Sequence, residues 1–503
     1  MNIGLQRSCL AAAAILSFTL VVGAASSSLV ADAARNKDVE RVRALLREKA
    51  DVNAPQGDGA TALAWASYWD DAETAELLIQ AGANPNAVND YGVSPLTLAC
   101  GNGSAAMVGR LLKAGANPRA AQKNGQTPLM ICAHTGGAEA VRLLLDRGAG
   151  IDAKENNRGQ TALMAAAAGN HPDVVQTLLD RGADVQARTE TGFTALMFAA
   201  QQGDVVSMEK LLSNGARIDD QSPAYGSALT VASASHQEKA ALFLLERGAD
   251  PNIADGNGIT PLHYAEARGI GDMIGTGRDV YDGHYKPRPT NMPELGRALI
   301  AHRADVNAQI QKSLITWWTT EAYRGPSLPR DAMVGATPFL LAAVAGDAPM
   351  MRALLAAGAN PRTPSKGGVT ALVAAAGGGW DSYRSREEKE KALEAVKVLI
   401  DLGLDVNQST TAGQTPMHAA AYTASDSIIR LLASKGANPN VRNNGGETPW
   451  SMASGLSPNS MSTYASHDAT AALLIELGAV PFTAEQIEIV KREGFRALTR
   501  RQR

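Results

Sequence analysis

"NGQTPLMICAHTGGAEAVRLLLDRGAGIDA", residues 124–153, carries the instructions for two short helices and the turns beside them. Thr127 offers a side-chain oxygen to the backbone N–H groups that open a helix, and Pro128 fits the first turn because its missing donor would be unpaired there. Leu129, Cys132 and Ala133 then fall at i, i+3 and i+4, a narrow apolar stripe whose small members let a neighbour approach closely. Gly136 ends that helix. Val141, Leu144 and Leu145 share one face of a second helix, and Gly148 suits the left-handed position just past its end.

The same pattern returns in "TGFTALMFAAQQGDVVSMEKLLSNGARIDD" (191–220) and "VGATPFLLAAVAGDAPMMRALLAAGANPRT" (334–363). An opening Thr or Ser stands at 61, 94, 127, 161, 194, 227, 260, 337, 370, 415 and 448, and most of the intervals are equal or nearly so. Self-similarity at a fixed period of roughly 33 residues marks stacked repeats. With "TPLHYA" (260–265), "TPMHAAA" (415–421), "GADPN" (248–252), "GANPN" (82–86 and 436–440) and "GADVQA" (182–187), the chain resembles ankyrin-repeat proteins over about residues 30–480.

The resemblance implies an all-α fold: an ankyrin-repeat solenoid of about twelve helix-turn-helix units with short β-hairpin-like fingers. At 8 to 10 Å per packed layer the array is expected to be roughly 100 Å long. His263 and His418 match the family's structural histidine, which ties neighbouring turns together. In such arrays the fingers and first helices line the concave side where partners bind. That places Tyr91, Lys123, Arg158 and Phe193 near finger tips, and Tyr68, Trp69, His134, Gln201, Gln202 and Tyr422 at the ends of first helices.

A single unit cannot bury its apolar face alone, so the ends need caps. "LVADAARNKDVERVRALLREKADVNA" (29–54) forms the first, with a charged second helix and no Thr-Pro opening. At the other end Thr483 and Gln486 have capping-box spacing before Ile487, Val490, Phe495 and Leu498. The expected division is a signal peptide (1–25), the N-terminal capping repeat (29–54), regular repeats (55–269), an interrupted repeat with two insertions (270–335), repeats with loop insertions (336–480) and a C-terminal capping helix (481–503). Two departures have consequences. Ala replaces Pro after Thr61, Thr161, Thr194 and Thr370, which softens the start of the helix, and Arg303 replaces the usual Gly, which predicts a less sharply turned helix end.

The interval from Thr260 to Thr337 is more than twice the usual one. Half of the excess falls between the two helices of that unit and half in the following finger. The second half contains "LITWWTTEAYRGPSLP" (314–329). Trp317, Trp318 and Tyr323 there either anchor a partner, as aromatic residues do at binding hot spots, or fold down over the neighbouring repeats. The first half, "IGDMIGTGRDVYDGHYKPRPTN" (270–291), holds Asp272, Asp279, Asp282 and His284. These lack the fixed positions of a calcium loop, and the glycines follow a helix, unlike a phosphate cradle. Smaller insertions lie around "GGGWDSYRSREEKEK" and "SGLSPNSMSTYASH". The charged run in the first of these reads as a solvated helix start.

Lys and Arg number 47 against 50 Asp and Glu, a net charge of −3 that gives nucleic acid no basic field to follow. "MNIGLQRSCLAAAAILSFTLVVGAASSS" has one basic residue, an apolar core and a small-residue end, the parts of an export signal. Cys9 would leave with it, and Cys100 and Cys132 are too few for a disulfide framework, so stability is assigned to packing. No G-x-S-x-G elbow, H-E-x-x-H helix, Walker loop or paired C-x-x-C occurs. The sequence therefore reads as a non-enzymatic scaffold without cofactor or metal, exported and secreted, or periplasmic if the host is a Gram-negative bacterium. It is expected to be monomeric, free of the membrane after cleavage, and to bind another protein along its concave face and the aromatic finger. The alternative is an enzyme or small-molecule binder with a site built by the 270–335 insertions.

Overall fold

The computed structural model describes residues 28–266, 290–312, 334–377, 385–456, 466–495 and 497–498. The signal segment and the aromatic stretch with Trp317, Trp318 and Tyr323 lie outside these residues, as do Asp272, Asp279, Asp282 and His284.

The capping chemistry read from the opening residues operates throughout. Thr61, Ser94 and Thr127 each adopt an extended backbone and accept the N–H three residues on, which opens the helices Ala62–Tyr68, Pro95–Gly101 and Pro128–Thr135. Second helices are opened in the same way by Asp38, Asp71 and Ser104. Ala in place of Pro after Thr61, Thr161 and Thr194 leaves these caps intact.

The chain divides into two compact units, residues 1–156 and 157–503, a division that falls within the 55–269 stretch read as one regular run. Among the described residues the first unit holds four helix pairs, from Leu29–Arg35 to Ala138–Asp146. The second holds eight, from Ala162–Ala168 to Asp468–Glu476, followed by the capping helix Ala484–Glu493. Every described element is helical; the sole strand-like feature among the described residues is an isolated antiparallel bridge between Ser222 and Gly226. The fingers are the short hairpin-like turns expected, without a strand assigned among the described residues. They close on a short pair of bonds, as where Asn89 N–H donates to the Val93 carbonyl (3.1 Å) and Gly92 N–H to that of Asn89 (2.9 Å), and a backbone bond such as that from Asp90 N–H to the Asp58 carbonyl (3.0 Å) joins one finger to the next.

Packing follows the period. Leu63, Leu96 and Leu129 from successive first helices, and Leu45, Leu78, Leu111 and Leu144 from successive second helices, are essentially inaccessible in the first unit. In the second unit Leu178, Leu211, Leu244, Leu299, Leu354, Leu399, Leu432 and Leu474 of its own second helices are equally inaccessible. Burying each such side chain stabilises the stack by about 2 kcal/mol. An exposed asparagine ladder ties the turns together. Asn86 Nδ2 donates to the Gly115 carbonyl (2.9 Å) and its Oδ1 accepts the Asn117 N–H (2.7 Å). Asn407 does the same with Gly436 (3.1 Å) and Asn438 (2.8 Å).

Two expectations are corrected. Cys100 and Cys132 are joined by a disulfide that bridges consecutive first helices, with a Cα–Cα distance of 4.5 Å, so packing is not the sole source of cohesion. Two cysteines are too few for a framework, but a one-residue difference in register brings these two into contact across the stripe of small residues. Arg303 does not blunt its turn: it takes the left-handed backbone (φ 64°) that Gly215 takes elsewhere (φ 93°), and Ala304 N–H still reaches the Leu299 carbonyl (2.9 Å). A non-glycine residue there costs about 1 kcal/mol, and the surrounding contacts absorb it.

The insertions leave the repeat geometry unchanged. In regular turns the N–H that opens the second helix donates to a carbonyl near the end of the first, as from Asp71 to Ala66 (2.8 Å). Met292 N–H makes this bond to Ala265 (2.8 Å) from the far side of the first insertion, and His467 N–H makes it to Ala453 (2.8 Å) from the far side of the last. The enlarged finger closes by the ordinary pair, Ile310 N–H to the Ala336 carbonyl (3.0 Å) and Gly335 N–H to that of Ile310 (2.7 Å). The charged run after Ser385 becomes the start of a 16-residue second helix, Arg386–Asp401, opened by a Ser385–Glu388 capping box. At the C-terminus the Thr483–Gln486 box holds, but the helix ends at Glu493, and Phe495 and Leu498 pack beyond it with Val490 and Phe482.

Candidate partner-binding surface

Tyr68 and Trp69 end the Ala62–Tyr68 helix and meet edge to face, their ring centroids 4.7 Å apart. Trp65 lies below them at 4% exposure and donates from Nε1 to Gln56 Oε1 (2.7 Å), which in turn donates from Nε2 to Asp32 (2.6 Å). Trp69 remains 39% exposed, but its Nε1 donates to the Arg35 carbonyl (3.0 Å) and the Lys37 ammonium sits 4.1 Å from its ring centroid. The cluster thus clamps the N-terminal capping pair to the next repeat and shows one edge to solvent.

Tyr91 occupies a different place, the tip of the finger before the Pro95–Gly101 helix. It is 54% exposed, and Val88 on the same finger is 50% exposed. Asn89 Oδ1 accepts the Tyr91 and Val93 N–H groups and holds the tip in its turn. Gly92 has φ 81°, and a Cβ there would lie 3.0 Å from the Lys123 nitrogen of the next finger, so the fingers can sit this closely only with glycine at that place. Val88 had no part in the sequence reading, although its place between polar finger residues was a legible signal.

Phe193 is corrected. Expected at an exposed tip, it is 8% exposed and packs edge to face against Phe198 (4.8 Å) and Tyr225 (5.3 Å), while its N–H donates to Thr189 Oγ1 (2.8 Å). It directly precedes the Thr194 cap and so faces the first helix. Tyr422 ends the Pro416–Tyr422 helix half-buried, and His134 and Gln201 are half-buried at corresponding places.

The histidines of the Thr-Pro-Leu-His pattern are internal braces. Thr415 N–H donates to His418 Nδ1 (3.2 Å), which leaves the proton on Nε2 for the Glu447 carbonyl of the next finger (3.2 Å). His263 links Thr260 to the Ala336 carbonyl (3.2 Å) across the enlarged finger in the same way. Burial lowers both imidazoles to about 4, against smaller opposing effects of their backbone partners. Among the described residues no three His, Cys, Asp or Glu side chains converge where they could hold a metal ion, and no helix is long and apolar enough to cross a membrane.

A family model for ankyrin repeats (3 copies) matches residues 30–122, 102–189, 186–255 and 387–481. The E3 ubiquitin-protein ligase KEG of Arabidopsis thaliana is 26% identical over 279 residues, which is 52% of this chain and 16% of that protein. Human protein phosphatase 1 regulatory subunit 27 is 40% identical over 57 residues, 11% of this chain and 37% of that one. The chain thus spans less than half the length of these relatives. Among solved structures, the human ASB11 ankyrin repeat domain shares 27% identity at a TM-score of 0.40 and aligns over 44% of this chain and 98% of that chain. Since the family matches take in more than half of its residues, the chain belongs to the ankyrin-repeat family.

Proposed function

We propose that the chain is a non-enzymatic scaffold that binds one protein partner through its finger tips and the exposed ends of its first helices, with the aromatic insertion as an anchor. Ankyrin repeats generally mediate protein–protein interaction, and one of the proteins this chain resembles is named as a regulatory subunit of protein phosphatase 1. The observation that carries the finer reading is the closure of the enlarged finger by the ordinary Ile310–Ala336 bond. Both ends of the aromatic insertion therefore leave from a finger position equivalent to that of Tyr91, where Val88 and Tyr91 already expose apolar surface. Export belongs to the same proposal. It is supported by the N-terminal sequence and by the Cys100–Cys132 disulfide, since such bonds persist in oxidising compartments.

Affinity capture from cells and medium of the source organism tests the binding role. The full chain, a Trp317→Ala, Trp318→Ala variant and a Val88→Ser, Tyr91→Ala variant would be compared side by side. Loss of one captured species in either variant supports the reading. Identical recovery of every species by all three removes these residues as anchors.

A further inference from the structure

Six residues after the capping Thr or Ser, all the other units with such an opening place Ala, Ser or Cys, as with Ser233 and Ala343 on either side of the interrupted repeat. The Thr260 unit has Glu266 there, with 0% exposure. A carboxyl group in a slot shaped for a methyl or hydroxyl group is costly unless it is paired or protonated. Its Oε2 accepts from Asn291 Nδ2 (2.7 Å), while its Oε1 is buried without a hydrogen-bond partner among the described residues. The same Asn291 Nδ2 reaches Asp347 Oδ2 (3.1 Å), and Asp347 Oδ1 caps the next unit's second helix at the Met350 N–H (3.0 Å). Glu266 stands before the first insertion and Asn291 is its last residue, and its neck is also closed by the Met292–Ala265 backbone bond.

We propose that Glu266, Asn291 and Asp347 form a proton-dependent clasp that holds the neck of the first insertion shut and fastens it to the following repeat. The charged groups described around it are mostly acidic, and the one lysine that packs beside Asp347, Lys391 against Gly346, is paired with Glu387 (2.7 Å). Asp347 faces Glu266 from the head of the Ala348–Ala356 helix, and Glu238 on the Glu238–Glu246 helix accepts the Leu295 N–H (3.0 Å) beside it. Burial first, and the Asp347 charge second, push Glu266 well above its ordinary value of 4.5, and the Asn291 bond opposes them. A carboxyl group raised in this way binds its proton more tightly folded than unfolded. The contribution of the clasp is thus complete below the ordinary carboxyl range and is lost as pH rises through the raised value.

Hydrogen exchange of the full chain, corrected for the intrinsic pH dependence of exchange, reads the clasp locally. Protection in Pro293–Ala301 is expected to fall by about tenfold or more relative to Val205–Ser213 between pH 5 and pH 9, since each unit of pKa difference is a tenfold effect. Glu266→Gln, which keeps the shape and the Asn291 acceptor, abolishes that fall. Asp347→Asn retains a capping oxygen but removes the repelling charge, and moves the midpoint to lower pH. A wild-type chain without the fall, or a Glu266→Gln chain that keeps it, overturns the proposal. Should Glu266→Gln fail to fold, the Asp347→Asn midpoint decides alone, and a midpoint that stays put or rises overturns it.

Discussion

A buried imidazole braces two turns at low cost only while it is neutral, and His418 meets that condition because its Nδ1 accepts and its Nε2 donates. Charging it would place a proton opposite the Thr415 N–H and an ion in a site with no solvent. The folded chain holds His418 at about 4 against an ordinary value of 6.5, so between these values the unfolded chain binds more protons. The contribution is present above about 6.5 and is lost as pH falls towards 4, an effect of about 3 kcal/mol for one such group. Urea unfolding at pH 7 and pH 4.5 should show His418→Leu less stable at pH 7 by roughly 2 kcal/mol, from its lost hydrogen bonds, and visibly flatter with pH than the wild type. The ladder offers a second residue-scale test. Asn86→Asp keeps the acceptor for Asn117 but sets a carboxylate against the Gly115 carbonyl, and should cost about 1 kcal/mol in the same assay. The histidine role was legible because a motif fixes its neighbours. The burial of Phe193 was not, since whether a finger aromatic turns in or out depends on Phe198 and on Tyr225 in the next unit, which the local pattern does not bring together.

Elements obey the period even where it is broken. The regular spacing placed all eleven capping residues, and the surplus lengths could be read as outgrowths because a stack that lost one turn could not bury its neighbours' faces. What spacing could not supply was the content of the outgrowths, which have no repeat partner to be compared with. The bonds at Ile310, Gly335 and Ala336 lead to a direct test: excising residues 312–333 brings Gln311 next to Val334 and restores a finger of ordinary length. The shortened chain should keep its helical circular dichroism and unfold with a midpoint close to that of the full chain, while losing Trp317, Trp318 and Tyr323 together. A large loss of helix content would mean that the segment is part of the stack and not an addition to it.

On the scale of the whole molecule, nearly balanced charge and a continuous supply of Ala, Leu and Gly make packing between repeats the main source of stability, and the disulfide adds a covalent link to it. Cys100 and Cys132 lie in consecutive repeats and both are inaccessible. Joining them closes a loop about one repeat long in the unfolded chain, which by the chain-entropy argument is worth up to about 4 kcal/mol. Alkylation of the native protein cannot reveal the bond, since buried thiols and a disulfide are equally unreactive. The chain should instead be purified without reductant from the compartment where it resides, denatured, and only then alkylated. Both cysteines should remain unmodified until reductant is added, and a Cys100→Ser, Cys132→Ser chain should unfold at a clearly lower urea concentration. Two free thiols in the denatured, unreduced protein would place the chain in a reducing environment and remove the main structural support for export.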